Sequence, residues 1–314
     1  MNVVSLFSGA GGLDLGFKNA GFKIIWANDS DKDAVLTYKH NIGDHIVHKK
    51  IEDIPLNEIP DCDVVIGGFP CQGFSQANLL RFEEDDRNNL YLEFLRIVEE
   101  KQPKYFFAEN VRGILSIGKG AAIKKIEEDF ANAGYKMQKK LFNVADFGVP
   151  QSRWRVILVG TRKDLDIEYE YPEETHAAPK KSLINGLEKW ITIGEALENI
   201  PEPEANTQGL TNHIYSKYKV TNRNFTGHRT TNPDKPSPTI LARGNGKGGV
   251  CAIQHPKNHR RMSIRESAII QSFPIDFEFL GSMTSCYRQV GNAVPVDFAT
   301  CIAGQLFKLT RNNI

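Results

Sequence analysis

Apolar segments alternate with amphipathic ones along the first half of the chain. Short apolar runs bounded by polar or Gly-rich segments predict strands at Asn2–Phe7, Lys23–Ala27, Asp63–Gly67, Tyr105–Ala108 and Trp154–Gly160. Between them, apolar residues recur at helical spacing over Leu13–Asn19, Asp31–His40, Leu90–Glu100 and Ala121–Ala133. Strands that alternate with helices predict an α/β fold, with a doubly wound parallel sheet and helices on both faces.

The pattern changes near Tyr171. Beyond this residue Pro, Gly, Asn and Thr are frequent, and helical periodicity returns only at Ile264–Gln271 and Val296–Leu309. The shift predicts a large domain at residues 1–170, a smaller and mostly irregular or β domain at 171–275, and a return to the large domain at 276–314.

The composition is that of a globular protein. The 314 residues are 40% hydrophobic and 25% charged, so the chain can bury a sizeable core. No apolar run reaches the ~18 residues of a membrane span, and the N-terminus lacks the charged start of a signal peptide. Five cysteines form no Cys-x-x-Cys pair, which argues against a zinc ribbon or a disulfide framework and indicates a reducing, cytoplasmic setting.

The net charge of +1 conceals a basic region, which we define as Thr211–Met262. It contains ten Lys and Arg residues and a single acid, Asp234, for a local charge of +9. A solvated basic face is one interpretation. A basic segment rich in Asn, Thr and Gly but poor in aliphatic residues favours nucleic acid as the partner.

A Gly-rich turn, Phe7–Gly12, separates the first predicted strand from the first helix. Such a turn brings the backbone close to a ligand and exposes the N–H groups of a helix N-terminus. The dinucleotide fingerprint G-x-G-x-x-G is not met, because position 14 is Asp. Asp29 lies where an acid can accept hydrogen bonds from ribose hydroxyls, although it could instead cap a helix. Asp53-Ile54 is a candidate for the edge of an adenine ring.

A cysteine follows the third predicted strand in an unusual setting, Gly67-Gly68-Phe69-Pro70-Cys71. The carboxyl end of a parallel strand is where α/β folds bind their ligands. Pro70 fixes the backbone before Cys71, and the glycines remove neighbouring side chains. The alternative for a lone cysteine is a small buried hydrophobe, which is what we expect of Cys62, Cys286 and Cys301.

The chain resembles the C5-cytosine DNA methyltransferase family over nearly its whole length. Six blocks occur in the family's order: Phe7–Gly12, Pro70-Cys71-Gln72, Glu109-Asn110-Val111, Gln151-Ser152-Arg153-Trp154-Arg155, Arg265-Glu266 with Gln271–Pro274, and Gln289–Pro295. Asp29 departs from the pattern, since the family usually has Glu there. The carboxylate is kept, but its reach is shorter.

The resemblance implies four catalytic residues: Cys71, Glu109, Arg153 and Arg155. The Cys71 thiolate adds to cytosine C6, which makes C5 nucleophilic toward a sulfonium methyl donor. Glu109 protonates or hydrogen-bonds N3, and apolar walls around it would raise its pKa. Arg155 holds O2 and, with Arg153, stabilises the developing charge. From the residues alone, Glu109 could also face solvent, and the arginines could form an exposed face.

The resemblance also implies S-adenosylmethionine as the methyl donor, S-adenosylhomocysteine as its product, and no metal. Residues 1–170 then form the catalytic and cofactor-binding domain with a Rossmann-like sheet. The implied donor-binding residues are Phe7, Ser8, Gly9, Ala10, Gly11, Gly12, Asp29, Ser30, Asp53, Ile54, Pro70, Leu90, Asn292, Ala293 and Val294.

Double-stranded DNA is the implied substrate, and residues 171–275 form its target-recognition domain. The target cytosine must leave the helix to reach Cys71, and a mobile loop at residues 72–87 closes over it. The implied DNA-binding residues are Gln72, Ser75, Arg81, Arg87, Arg223, Thr239, Arg243, Asn245 and Lys247. The Gly-rich segment 244–249 could instead be a linker. We expect a monomer on DNA in the bacterial cytoplasm, associated with the nucleoid, with no membrane partner and with a cognate restriction endonuclease.

Three other functions are compatible with parts of this pattern. A tRNA cytosine-C5 methyltransferase would share the family's motifs, but the basic region favours duplex DNA. A non-catalytic DNA-binding protein would not need Cys71, Glu109 and the two arginines together. A nicotinamide-dependent oxidoreductase is disfavoured by the unmet dinucleotide fingerprint.

Overall fold

The computed structural model describes residues 1–69, 89–165, 167–205, 209–217, 230–242, 253–257 and 259–311. The strands are β1 (Asn2–Leu6), β2 (Lys23–Asp29), β3 (Ile46–His48), β4 (Val64–Gly67), β5 (Tyr105–Val111), β6 (Tyr135–Asn143), β7 (Gln151–Ser152), β8 (Trp154–Arg162), β9 (His176–Ala177), β10 (Glu188–Lys189) and β11 (Ser237–Pro238). The α-helices are α1 (Gly12–Asn19), α2 (Lys32–Asn41), α3 (Asn89–Lys101), α4 (Ala121–Asn132), α5 (Pro179–Asn185), α6 (Ile193–Leu197), α7 (Ile264–Ile270), α8 (Met283–Asn292) and α9 (Val296–Arg311). In the described ranges, no helix combines the length and apolar character needed to cross a membrane.

Seven strands form the central sheet in the order β3-β2-β1-β4-β5-β8-β6. The pairs among β1 to β5 are parallel, whereas β8 runs antiparallel to both β5 and β6. The predicted α/β fold is confirmed, but the sheet is mixed rather than wholly parallel. The connection from β6 to β8 is only residues 144–153, and short connections join antiparallel neighbours.

Both faces of the sheet are apolar and covered by helices. Phe106 of β5 faces Phe94 of α3, with ring centroids 6.0 Å apart. The next residue, Phe107, faces Phe17 of α1 at 5.4 Å. Since adjacent strand residues point to opposite faces, α3 and α4 cover one side of the sheet, and α1 and α9 cover the other.

Strand β6 has no counterpart among the predicted strands. It forms one edge of the sheet and contains Lys136, Lys139 and Lys140, and charged residues are typical of edge strands. The polar sequence therefore does not show the alternation of a half-buried strand. Strand β3, at the other edge, is only three residues long.

A third core lies beyond the sheet, around α6, α7 and α8. Its aromatic centre is formed by Phe273, Phe277 and Phe279. The buried Arg265 guanidinium donates to the carbonyl oxygens of Phe277, Thr211 and Pro274. This core contains residues on both sides of position 275, and the division into domains stays a prediction.

Candidate active site

Asp29, at the end of β2, holds the Gly-rich turn in place. Its Oδ2 accepts from the backbone N–H of Gly9 at 2.8 Å, and its Oδ1 accepts from the backbone N–H of Asp31 at 2.8 Å. The N-cap of α2 is Asp31, so the alternative that Asp29 caps this helix is wrong. Burial raises the pKa of Asp29. Each carboxylate oxygen keeps a second lone pair with which it can accept a further hydrogen bond.

The glycines of this turn have different functions. Gly11 has a φ of 88°, and a Cβ there would lie 2.2 Å from Ile42 Cδ1. A Cβ on Gly12 would lie 2.4 Å from the carbonyl oxygen of Val294. These two glycines allow close packing within the protein. At Gly9, by contrast, no described atom lies within 4 Å of the Cβ position, which leaves room for a ligand.

A cavity of about 450 Å³ opens at the carboxyl ends of β1, β4 and β5. It brings together most of the described residues that the resemblance implied: Phe7, Ser8, Gly9, Ala10, Gly12, Asp29, Ser30, Leu90, Glu109, Arg153, Arg155, Asn292, Ala293 and Val294. The lining also contains polar residues that the sequence did not single out: Asp14, Asp31, Asn110, Arg288 and Gln289. Of these, Asn110 and Gln289 lie within the motif blocks, so their place in the motifs could have identified them as site residues.

Three predicted donor-binding residues are not among the described residues that line this cavity. Ile54 is buried in the core beneath α3, and the neighbouring Asp53 is exposed. Gly11 faces Tyr38 and Ile42 instead. Pro70 lies outside the described residues, as do Cys71 and the loop at 72–87.

Glu109 and Arg155 form an ion pair in the wall of the cavity. They lie on the adjacent strands β5 and β8, and their side chains are 13% and 12% exposed. Gly68 follows β4, and a Cβ there would lie 3.3 Å from Glu109 Oε2. The absence of that side chain leaves the Glu109 carboxylate open toward the segment that leads to Cys71.

Asn110 fixes this segment to β5. Its buried side-chain amide donates to the carbonyl oxygen of Phe69 at 3.0 Å, and its Oδ1 accepts from the Val111 N–H. The Phe69 ring is buried against Tyr91 and Phe94. The chain is therefore held firmly immediately before Pro70.

Arg153 is held by backbone groups from distant parts of the chain. Its buried guanidinium donates to the carbonyl oxygens of Ile240, Gly291 and Ala293 at 2.9 to 3.1 Å. Burial, together with the charge of Arg155, lowers the pKa of Arg153 to about 9. These bonds connect Arg153, which directly precedes β8, to the basic region and to the last motif. Arg153 also lines the cavity, and its contribution to charge stabilisation stays a prediction.

The start of the motif at residues 151–155 is also an anchor. Gln151 accepts from the Ile240 N–H and donates to the Gln271 side chain. Thr239, a predicted DNA contact, donates its hydroxyl to the Ser152 carbonyl oxygen. The parallel pair β7 and β11 lies here, outside the seven-stranded sheet, so this part of the basic region is bound to the motif at residues 151–155.

Some of the Lys and Arg side chains of the basic region are buried or paired with acids. Arg260 is buried and forms ion pairs with Glu202 and Glu266, and Arg261 is also buried. Lys217 is exposed and pairs with Glu204. The other predicted DNA-binding residues, Arg223, Arg243, Asn245 and Lys247, lie outside the described residues.

Three described cysteines have the environment of packing residues. Cys286 is buried, and Cys62 and Cys301 are half-buried against the sheet cores. Burial raises the pKa of Cys62 to about 12 and that of Cys286 to about 11, and it also raises that of Cys301. Each is therefore a protonated thiol at neutral pH.

Comparison with known proteins decides the family. A family model described as C-5 cytosine-specific DNA methylase matches residues 1–308. The chain belongs to this family. The methylase is 41% identical to the Type II methyltransferase M.NgoFVII of Neisseria gonorrhoeae, over 99% of this chain and 87% of the relative. It is 39% identical to the Type II methyltransferase M.FnuDI of Fusobacterium nucleatum, over 98% of this chain and 94% of the relative.

The fold agrees with this assignment. A prophage-encoded DNA modification methyltransferase of E. coli superposes with a TM-score of 0.76 at 26% identity, over 99% of both chains. The methylase is thus a DNA cytosine-5-methyltransferase with a Rossmann-like sheet. This assignment to a methyltransferase family contradicts the oxidoreductase and the non-catalytic binding protein. The family description and the named relatives favour DNA as the substrate polymer.

Proposed function

We propose that this enzyme transfers a methyl group from S-adenosylmethionine to C5 of a cytosine flipped out of a short specific site in duplex DNA, through a covalent bond between Cys71 and C6. The observation that supports this most strongly is the position of the Glu109–Arg155 pair. It lies in the wall of one cavity with the Gly-rich turn and with Gly68, three residues before Cys71.

The cavity suits the proposed donor. Asp29 retains acceptor capacity for ribose hydroxyls after binding Gly9 and Asp31. The N-cap of α1, Gly11, provides no side-chain cap, so the start of this helix can bind the carboxylate of the amino-acid part. Ala293 and Val294 supply apolar walls. When bound, S-adenosylmethionine supplies an electrophilic methyl group on a sulfonium.

Each remaining step of the reaction is assigned to a residue of the chain. The Cys71 sulfur forms a bond to C6, and Glu109 supplies a proton or hydrogen bond at N3 while electron density moves to C5. Arg155 orients the Glu109 carboxylate and lies where it can donate to O2. After C5 takes the methyl group, the C5 proton leaves and the Cys71–C6 bond breaks, which restores the thiolate. Arg153 holds the cavity wall through its carbonyl partners.

The biological setting follows from the relatives. Both are named Type II methyltransferases, and they align with nearly all of this chain. We infer that the enzyme protects a short DNA site from a cognate restriction endonuclease. The part of the basic region outside the described residues would read that site, since Arg, Lys and Asn are the side chains that recognise base edges.

Bisulfite sequencing tests the proposed activity. DNA from cells that express the chain should show 5-methylcytosine at one short recurring sequence. The Cys71→Ser variant, expressed at the same level, should leave those sites unmethylated. Unmethylated DNA with the unaltered chain, or equal methylation with the variant, would contradict the proposal.

A further inference from the structure

A surface next to the cavity has no function in the mechanism above. We define the Arg112 surface as Val111, Arg112 and Trp154. The Arg112 guanidinium carbon lies 5.7 Å from the centre of the Trp154 ring, a cation–π contact. Trp154 is 42% exposed and Val111 is 39% exposed. Tryptophan is enriched at interaction surfaces, because its ring is apolar and its indole N–H can donate a hydrogen bond.

The Arg112 surface lies at the edge of the sheet where the reaction takes place. Val111 ends β5 and lines the cavity, and Arg112 follows it directly. Trp154 begins β8, whose amino end lies beside the carboxyl end of β5 because these strands are antiparallel. The carboxyl end of β4, which leads to Cys71, is at the same edge. A DNA strand that delivers a base into the cavity would therefore pass close to Arg112.

Charge distinguishes Arg112 from the other arginines around the cavity. Arg155 pairs with Glu109, Arg288 pairs with Asp31, and Arg153 is bound by three carbonyl groups. Within the part of the chain that the structure describes, Arg112 has no carboxylate partner, and its guanidinium lies over the indole ring of Trp154. A guanidinium without a carboxylate partner is free to bind a pair of phosphate oxygens with two parallel N–H groups.

We propose that Arg112, stacked on Trp154, binds a backbone phosphate of the DNA strand that contains the target cytosine, with the exposed Trp154 ring against the adjacent deoxyribose. The inference rests on the proposed function, because it requires a flipped base in the cavity. The contact positions the strand and reads no sequence.

The chain provides a matched control. Arg311 lies over the Phe307 ring at 5.3 Å, so it is also an arginine stacked on an aromatic side chain. Phe307 packs on Phe22, which precedes β2, at the opposite edge of the sheet from the cavity. Arg311→Ala therefore removes the same chemistry without approaching the proposed DNA surface.

The test is the salt dependence of duplex DNA binding, measured with S-adenosylhomocysteine present. Arg112→Ala should reduce the slope of log K against log [salt] by about 0.9, the value for one phosphate contact on duplex DNA. Arg112→Lys should keep the slope, because the charge remains, but weaken binding severalfold. Trp154→Ala should weaken binding with a smaller change of slope, and Arg311→Ala should match the unaltered enzyme.

An unchanged slope in Arg112→Ala would overturn the proposal. If kcat fell while DNA affinity and slope stayed the same, the Arg112 surface would support another segment of the chain rather than DNA. Arg112→Gln provides a second neutral variant if Arg112→Ala has a lower melting temperature. Covalent trapping by 5-fluorocytosine DNA is measured in parallel. If the unaltered enzyme formed no covalent complex, the proposed function would fail, independently of the role of Arg112.

Discussion

The side-chain amide of Asn110 donates to the backbone carbonyl oxygen of Phe69, two residues before Cys71. We predict that Asn110→Ala lowers kcat by about a hundredfold, because a displacement of roughly 1 Å in a reacting group costs about that factor. Affinity for S-adenosylhomocysteine should change less than twofold. Steady-state kinetics and titration calorimetry measure the two quantities.

Asn212 provides the control for this prediction. Its side chain makes two hydrogen bonds to the Phe279 backbone, at 2.8 and 2.7 Å, in the third core. Asn212→Ala should lower the melting temperature and leave kcat near its original value. A normal kcat in Asn110→Ala would show that Phe69 does not need this bond to position the following segment.

Asp29 connects β2 to the Gly-rich turn and lines the cavity. We predict that Asp29→Ala weakens S-adenosylhomocysteine binding at least tenfold, because the variant loses both the Gly9 bond and the acceptor for ribose hydroxyls. Calorimetry with S-adenosylhomocysteine and with free adenine separates the ribose contact from the ring contact. An unchanged affinity for S-adenosylhomocysteine would show that Asp29 does not contribute to binding of this ligand.

Asp14 is fully buried in α1, and burial raises its pKa from 3.8 to about 6. Between these values the folded protein retains a proton that the unfolded chain releases, so the free energy of unfolding falls as pH rises. Two pKa units correspond to roughly 3 kcal/mol. Asp14→Asn keeps an acceptor for the Tyr38 hydroxyl, which lies 2.9 Å from Asp14 Oδ1. We predict that this variant is more stable than the unaltered enzyme at pH 7.

Urea unfolding from pH 4 to pH 8 measures this difference. The stability gain of Asp14→Asn should be near zero at pH 4 and reach its full value above pH 6. Asp61→Asn, which changes an exposed carboxylate, serves as the comparison. Parallel curves for Asp14→Asn and the unaltered enzyme would show that the Asp14 carboxyl has the same pKa folded and unfolded.

The basic region should contribute to DNA binding through its Lys and Arg residues. We predict that replacing Lys219, Arg223 and Arg243 together by Ala makes the slope of log K against log [salt] less steep. The slope should fall by up to about 0.9 for each DNA phosphate that the variant no longer binds. Lys217→Ala is the control, because Lys217 is already paired with Glu204 at 2.7 Å. If the triple variant kept the original slope, the residues that bind phosphate would lie elsewhere.

Local patterns were sufficient to predict most of the elements around the cavity. Helices such as α1 and α3 have apolar residues at helical spacing, and strand β4 and the first four residues of β5 are continuous apolar runs. The Gly-rich turn was predicted too, although two of its glycines turn out to pack against the protein itself. These features depend on residues that are close in sequence.

The contacts that define the site were harder to predict, because they join distant segments. Arg153 was expected to stabilise developing charge together with Arg155, and the sequence did not show that the carbonyl oxygens of Ile240 and Gly291 would bind its guanidinium. The pairing of Arg288 with Asp31 spans most of the chain. Helix α8 was not predicted either, since its sequence, which contains Gly291, begins with Met, Thr and Ser and has few apolar residues.

The central claim is that Cys71 becomes bonded to the target base, and duplex DNA with 5-fluorocytosine at the methylated position tests it directly. Fluorine cannot leave as a proton does, so the enzyme should stop at the covalent stage after methyl transfer. We predict a complex that survives denaturation, with peptide mass spectrometry placing the base on Cys71, and no such complex with Cys71→Ser. A stable complex on another residue, or methylated product released without any covalent complex, would contradict the account.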